Sequence, residues 1–353
     1  MKKQPFCVVR QCEEPLFSLL YRARVKYTMM TQVPSGSNVA GMQTDSFRRP
    51  WWLFSGHMET IASLYERNQE SFENRVIPTP EGDEILLSYV MGDEKMPLLT
   101  LFHGLEGCAQ SHTIRLLASY FIAQGWTVAV PHFRSCGHMN RLPRAYHAAD
   151  GAEVRWMLNW CRAAFVRPYT FAAGVSLGGN ALIRCLDSTD ETESCCAAAT
   201  VSAPLDLTAA AYHLNSGFPH LLYGRHFLKL LRAKVLVKAA RYPSICDLKK
   251  LRRARTIGDF DELYTAPVHG FSSAQAYWRR ASAYTALLRM KTPLLCINAQ
   301  NDPMVPVASL PVKASSAVSF CRPRHGGHGA FFGKPANWLA ATMGDFFNQY
   351  MNS

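Results

Sequence analysis

Residues Phe171–Asn180, F-A-A-G-V-S-L-G-G-N, constrain this chain more than any other ten. An apolar run from Tyr169 to Ala173 ends in Gly174-Val175-Ser176-Leu177-Gly178, and Asn180-Ala181-Leu182-Ile183 continues as a helix. In this G-x-S-x-G setting of strand, tight turn and helix, Gly174 and Gly178 stand where side chains would collide. The turn leaves the Ser176 hydroxyl at the top of a sheet, and the helix N-terminal amides favour negative charge beside it.

The rest of the chain supplies the sheet. Val76-Ile77 and Ile85–Val90 flank Pro80-Glu81-Gly82-Asp83 and read as a hairpin. Pro97 to Phe102 is continuously apolar, as a strand buried on both faces is, and ends at His103-Gly104. A helix from Ser111 through Ala123, a strand at Trp126–Val130, a helix over about His147–Phe165, the strand Tyr169–Ala173 and the strand Ala197–Ser202 follow. Repeated βα units of this length predict a mostly parallel sheet flanked by helices, with functional groups at the carboxyl ends of its strands. Alternation stops over about 206–290, a Leu-, Ala-, Lys- and Arg-rich helical tract that predicts a cap inserted over the strand ends. Within it Arg225, Lys229 and Arg232 lie on one side of a helix, whereas Lys234, Lys238 and Arg241 lie on the other. That split predicts a break near Ala233 or two packed helices. Pro293–Ala299 and Ala317–Cys321 return to the sheet, and Trp338–Tyr350 closes the chain as a helix. The organisation expected is a single α/β domain over 46–353, preceded by an N-terminal extension of uncertain order at 1–45. Aromatics at Phe47–Trp52, with His57–Ile61, are expected to pack an arm onto the body.

Composition narrows the class. With 48% hydrophobic and 18% charged residues the chain is globular, and no apolar run reaches the ~18 residues of a membrane span. No apolar stretch follows Lys2-Lys3 before Arg10 and Glu13-Glu14, so a secretory signal is not expected. Eleven cysteines without a C-x-x-C suit reduced thiols in a cytoplasmic protein. Of the 38 basic residues, eleven lie between Arg225 and Arg255, where Asp247 is the only acid. That excess reads first as a solvated face, second as a weak contact with an anionic membrane surface. His132, His138 and His147 lack an H-E-x-x-H or a carboxylate pair and read as structural, so no metal is expected. Neither a G-x-G-x-x-G nor a P-loop is present, so no nucleotide cofactor is expected. No other cofactor is required by the expected chemistry, and no nucleic-acid partner is expected.

A serine hydroxyl is a poor nucleophile until a base takes its proton, and the base must be oriented by an acid. Candidates follow in the order Ser176, Asp302, His328, each after a predicted strand. His325 competes as base; Gly326, Gly327 and Gly329 favour His328 because they let the backbone approach a crowded site. A tetrahedral oxyanion needs amide donors. Leu177, next to the nucleophile, offers one. Leu105, in His103-Gly104-Leu105-Glu106-Gly107 after the first long strand, offers the second.

With these stretches in view the chain resembles the bacterial YheT-like hydrolases, a branch of the α/β-hydrolase superfamily related to mammalian ABHD proteins and yeast medium-chain ethyl ester synthases/esterases. The resemblance runs from about Phe47 onward: P-W-W with H-M-E-T-I (Pro50–Ile61), H-G-L-E-G (His103–Gly107), H-F-R-S-C-G (His132–Gly137), G-V-S-L-G-G-N (Gly174–Asn180), V-S-A-P-L-D-L (Val201–Leu207), D-F-D-E-L-Y-T-A (Asp259–Ala266), H-G-F (His269–Phe271), N-D-P (Asn301–Pro303) and H-G-G-H-G (His325–Gly329). It implies an α/β-hydrolase fold with Ser176, Asp302 and His328 as the triad. Two positions depart from the family's usual pattern, Ser135 in place of Gly and Gly329 in place of a larger apolar residue. The function expected is cleavage of small-molecule carboxylic esters of short to medium acyl chain. The alternatives are acyl transfer to an alcohol by the same residues, although the H-x-x-x-x-D associated with acyltransferases is absent, and a non-catalytic protein that docks on an anionic membrane through Arg225–Arg255.

Overall fold

The computed structural model describes residues 46–63, 71–187 and 195–351, so the expected extension at 1–45 lies outside it. Eight strands form one sheet: β1 (Glu73–Pro78), β2 (Glu84–Val90), β3 (Leu98–Phe102), β4 (Thr127–Pro131), β5 (Thr170–Val175), β6 (Ala197–Val201), β7 (Leu294–Ile297) and β8 (Val318–Cys321). Their order is β1-β2-β4-β3-β5-β6-β7-β8; β2 runs antiparallel to both β1 and β4, and the other pairs are parallel. The expected hairpin is therefore present as β1–β2.

Helices cover both faces, which explains why β3, β4, β6 and β7 are buried along their whole length. α1 (Gly56–Ala62) belongs to the N-terminal arm; α2 (His112–Ala123), α3 (Gly151–Ala164) and α4 (Leu177–Leu186) follow in the body. β3 lies between β4 and β5, so the chain leaves β3 in one direction and returns past it in the other. At such a reversal the loops after adjacent strands part and leave a crevice. Register brings the functional ends level. Phe102 pairs with Gly174, and Val175, Val201, Ile297 and Cys321 form one row across β5 to β8. Beneath that row, Phe171 on β5 stacks on Trp126 at 5.4 Å and on Phe347 of the C-terminal helix at 4.7 Å, which anchors the central strand.

Between β6 and β7 the described chain is helical. It comprises α5 (Leu207–Leu214), α6 (Arg225–Ala239), α7 (Leu248–Arg253), turns over 257–268 and α8 (Ala274–Ala281); α9 (Trp338–Asn348) ends the body. The expected break near Ala233 does not occur. α6 is one helix, led in by Gly217–Pro219 and a π turn at His220–Gly224. The split of basic residues has another cause: the lysines opposite Arg225 and Lys229 do not face water. Lys234 Nζ donates to Glu106 Oε1 at 2.9 Å, and Lys238 Nζ donates to Asn140 Oδ1 and Leu142 O at 2.7 Å and to Arg144 O at 2.9 Å. Within 257–268, Asp259 closes a capping box with Thr256, and the buried Asp261 accepts from Trp278 Nε1 and Thr265 Oγ1, so the D-F-D carboxylates hold the cap's own turns.

Candidate active site

Ser176 stands between β5 and α4 at φ +53°, ψ −122°, a left-sided conformation that costs a non-glycine residue energy and is held by its surroundings. Its amide donates to Val201 O at 2.8 Å. The flanking glycines are sterically required. A Cβ on Gly174 would sit 2.6 Å from Gly178 O, and one on Gly178 would sit 2.4 Å from His103 O.

His328 and Asp302 meet Ser176 from the loops after β8 and β7. His328 Nε2 lies 2.9 Å from Ser176 Oγ, and its Nδ1 lies 2.9 Å from Asp302 Oδ2. Asp302 Oδ1 also accepts the amides of Met304 and Val305 at 2.8 and 3.1 Å, so the carboxylate cannot swing away without losing both. A ring nitrogen facing a carboxylate carries the proton, which leaves Nε2 free to accept from the serine. His325, the competing base, instead lies against Glu59, with Nδ1 3.9 Å from Oε1.

The β3 loop is fixed by a neutral imidazole. His103 Nε2 accepts from the Phe133 amide at 3.1 Å, so Nδ1 holds the proton and donates to Gly104 O at 2.8 Å. Full burial agrees with that, pushing the His103 pKa down to about 4. In a trans peptide the carbonyl and the next amide point in opposite directions. Holding Gly104 O on the imidazole therefore points the Leu105 amide away from His103, and Gly104 itself lies against the serine, where an added Cβ would be 3.2 Å from Ser176 Cβ. Leu177 is the first residue of α4, where an amide has no intrahelical acceptor. Among the described residues, neither the Leu105 nor the Leu177 amide has a backbone acceptor. Glu106, at φ +58°, is locked in turn, its amide donating to Tyr146 Oη at 2.7 Å and its carboxylate accepting from Tyr146 and Lys234, both at 2.9 Å.

Sequence reasoning missed the brace that holds these loops. The α1 carboxylate of Glu59, 1% exposed, accepts from the Gly326 amide at 2.6 Å and from Asn301 Nδ2 at 2.8 Å. Thr60 Oγ1 accepts the His328 amide at 2.9 Å, and Asn301 Oδ1 accepts the Gly327 amide at 3.1 Å. Burial raises the Glu59 pKa against these donors. The only signal was the H-M-E-T stretch itself, which carries no chemistry in its spacing.

The two departures are legible in the backbone. Ser135 sits at φ +64°, where glycine is the unstrained choice, and its hydroxyl donates to Asn140 Oδ1. Gly329 is at φ +67°, and a Cβ there would lie 3.0 Å from Thr113 Oγ1. A cavity of about 120 Å³ opens onto Ser176 and His328, walled mainly by apolar cap side chains such as Leu207, Leu214, Phe227, Leu231, Phe260 and Trp278.

Comparison with known proteins agrees with this architecture. Residues 97–335 match the family described as alpha/beta hydrolase fold. The chain is 34% identical to the Escherichia coli (strain K12) protein named "Putative esterase YheT", over 84% of this chain and 91% of that one. It is 28% identical to the "Monoacylglycerol lipase" of Saccharomyces cerevisiae, over 68% of this chain and 56% of that one. Among solved structures, the Pyrococcus furiosus esterase Pf2001 superposes with a TM-score of 0.55 at 13% identity, covering 81% of this chain and 97% of that one, a likeness of fold. With its sheet order, its serine turn and these matches, the chain belongs to the α/β-hydrolase fold family, in the YheT-like group.

Proposed function

We propose that this protein hydrolyses carboxylic esters through an acyl-enzyme on Ser176. The observation that carries the reading is the relay of 2.9 Å contacts from Ser176 Oγ through His328 to Asp302. In the first step Oγ attacks the ester carbonyl carbon while His328 Nε2 takes its proton; Asp302 keeps the imidazole in the needed tautomer and stabilises the cation that forms. Negative charge develops on the former carbonyl oxygen, where the Leu105 and Leu177 amides donate without rearranging. His328 then gives its proton to the departing alcohol. Water, deprotonated by the same imidazole, releases the acid.

The cavity supports a short- to medium-chain acyl group. At about 120 Å³ it has room for roughly ten water-sized groups, and its apolar walls exclude the water that would compete for the chain. The relatives named as an esterase and a monoacylglycerol lipase point to the same bond.

Turnover of p-nitrophenyl esters graded by chain length tests the reading, together with labelling by a serine-directed fluorophosphonate. Ser176→Ala is expected to lower kcat at least about 10³-fold and to abolish labelling while the circular dichroism is unchanged. A variant that keeps turnover would sink the mechanism.

A further inference from the structure

Beside the His328 loop the surface carries apolar side chains that the fold does not bury. Trp51 is 90% and Phe54 73% exposed, and Leu221, Trp52 and Phe218 are about half or somewhat less exposed, at 53%, 45% and 38%. They come from two segments that meet. The His57 ring, three residues after Phe54, packs edge-on to Phe218 at 4.9 Å, stacks on Tyr223 at 5.7 Å and bonds its hydroxyl at 3.0 Å. Trp52 contacts Phe332, four residues beyond His328, at 6.1 Å. Arm and cap thus form one apolar rim near the His328 loop.

The rim continues into positive charge. From Leu221 along the cap, every fourth residue is exposed: Arg225, Lys229, Ala233, Val237 and Arg241. α7 adds Lys249, Arg252 and Arg253, all exposed. Among the described residues none of Arg225, Lys229, Arg241, Lys249, Arg252 and Arg253 pairs with a carboxylate, whereas Lys250 reaches Asp247 at 3.6 Å. Of the cap's inward lysines, Lys234 pairs with Glu106 and Lys238 is held by Asn140 and carbonyl oxygens, so the cations left to solvent are on the outward side.

Indole and phenyl rings beside unpaired cations match one kind of environment. At a lipid–water boundary aromatic rings settle at headgroup depth and Lys or Arg side chains meet anionic headgroups. A nucleic-acid duplex would engage the cations and leave the Trp51–Phe54 group in water. We propose that this rim docks the protein on an anionic lipid–water interface, with the arm aromatics, Phe218 and Leu221 among the headgroups and Arg225 and Lys229 on their charge. The cavity mouth then faces the lipid, and the substrates are ester lipids drawn from it; this last part rests on the ester-hydrolase reading. Among the described residues no helix is long and apolar enough to cross a membrane, so docking takes place at the surface.

Flotation of the full chain with vesicles of phosphatidylcholine alone, or mixed with phosphatidylglycerol, tests this. Binding is expected only to the mixed vesicles and is expected to fall at least about tenfold from low to high salt. Arg225→Glu with Lys229→Glu, and separately Trp51→Ser with Phe54→Ser, are each expected to weaken it at least about tenfold. Hydrolysis of a short soluble ester should be unchanged in both double variants, which also reports that they fold. Unaltered binding by either double variant, absence of binding at low salt, or binding to duplex DNA in place of vesicles would each overturn the proposal. Wild-type protein that floats but does not cleave the soluble ester would overturn the hydrolase reading and leave docking standing.

Discussion

The body and the cap face each other across one cavity and are held by different physics. On the body side the contacts are steric. Gly174, Gly178 and Gly104 let backbone and Ser176 approach so closely that a single added carbon would overlap a neighbour or press against it. On the cap side Ala274, Tyr277, Trp278 and Ala281 pack into the body's core, and α6 adds polar contacts at the cavity wall. Lys234 and Lys238 reach down from α6 into the body's loops, one onto Glu106 of the Leu105 loop, the other onto Asn140 and two carbonyls. A close-packed turn has one workable arrangement, whereas a few charged hydrogen bonds can be exchanged for others. On the ester-hydrolase reading, the chemistry is therefore fixed where atoms cannot be added, and substrate choice can vary along the α6 wall, which is held by replaceable contacts.

The sharpest way to break that contrast is Gly178→Ala. Its new Cβ would meet His103 O and Phe102 O, both backbone, at 2.4 and 2.6 Å, so a cost of about 3 kcal/mol or more and loss of ester turnover are expected. Near-wild-type activity and urea midpoint would remove the steric half of the comparison. Lys238→Met tests the polar half. It removes one donor from Asn140 Oδ1 and from the Leu142 and Arg144 carbonyls, each of which keeps a second from Ser135 Oγ or Asn140 Nδ2, so about 1–2 kcal/mol is expected by urea denaturation, with KM altered more than kcat because the cap wall moves and the serine relay does not. Glu59→Gln should cost about 1–2 kcal/mol and lower kcat about tenfold, since the new NH2 faces one of the two donors, Gly326 N or Asn301 Nδ2, and the His328 loop loosens. An equal loss in KM would instead place Glu59 in substrate binding.

Acid acts more gradually, at about 1 kcal/mol per pH unit for each imidazole. Burial holds the pKa values of His103 and His112 down to about 4 and that of His132 well below its ordinary 6.5. Between those values the unfolded chain binds protons that the folded body does not, so stability is full above about pH 6.5 and is lost as pH falls towards 4. Urea midpoints measured downward from neutral pH should fall, and His103→Gln should flatten the slope. A flat profile would mean that these imidazoles titrate freely.

Much of the body was legible because its constraints are local. The turn around Ser176 shows in five residues, and the order Ser176, Asp302, His328 needs only that strands end where they were expected to. The brace was not legible: Glu59 and Gly326 are 267 residues apart, and nothing about a glutamate in an N-terminal arm says which amide it will accept from. The cap helix was misjudged for a related reason. Amphipathic reasoning places every lysine in water, and Lys234 and Lys238 are instead held inside by partners that only the fold assembles. Ser135 shows the same limit at one residue, its positive φ becoming visible only with the backbone.

The clasp from Glu59 and Thr60 bears on where this protein can be cut. The family match begins at residue 97, after both the arm and the β1–β2 hairpin. A fragment trimmed to 97–335 would keep Ser176, Asp302 and His328 and lose what steadies the last two. A fragment that keeps this brace on the His328 loop has to reach back past Ser55, whose hydroxyl accepts the Met58 amide and caps the brace helix.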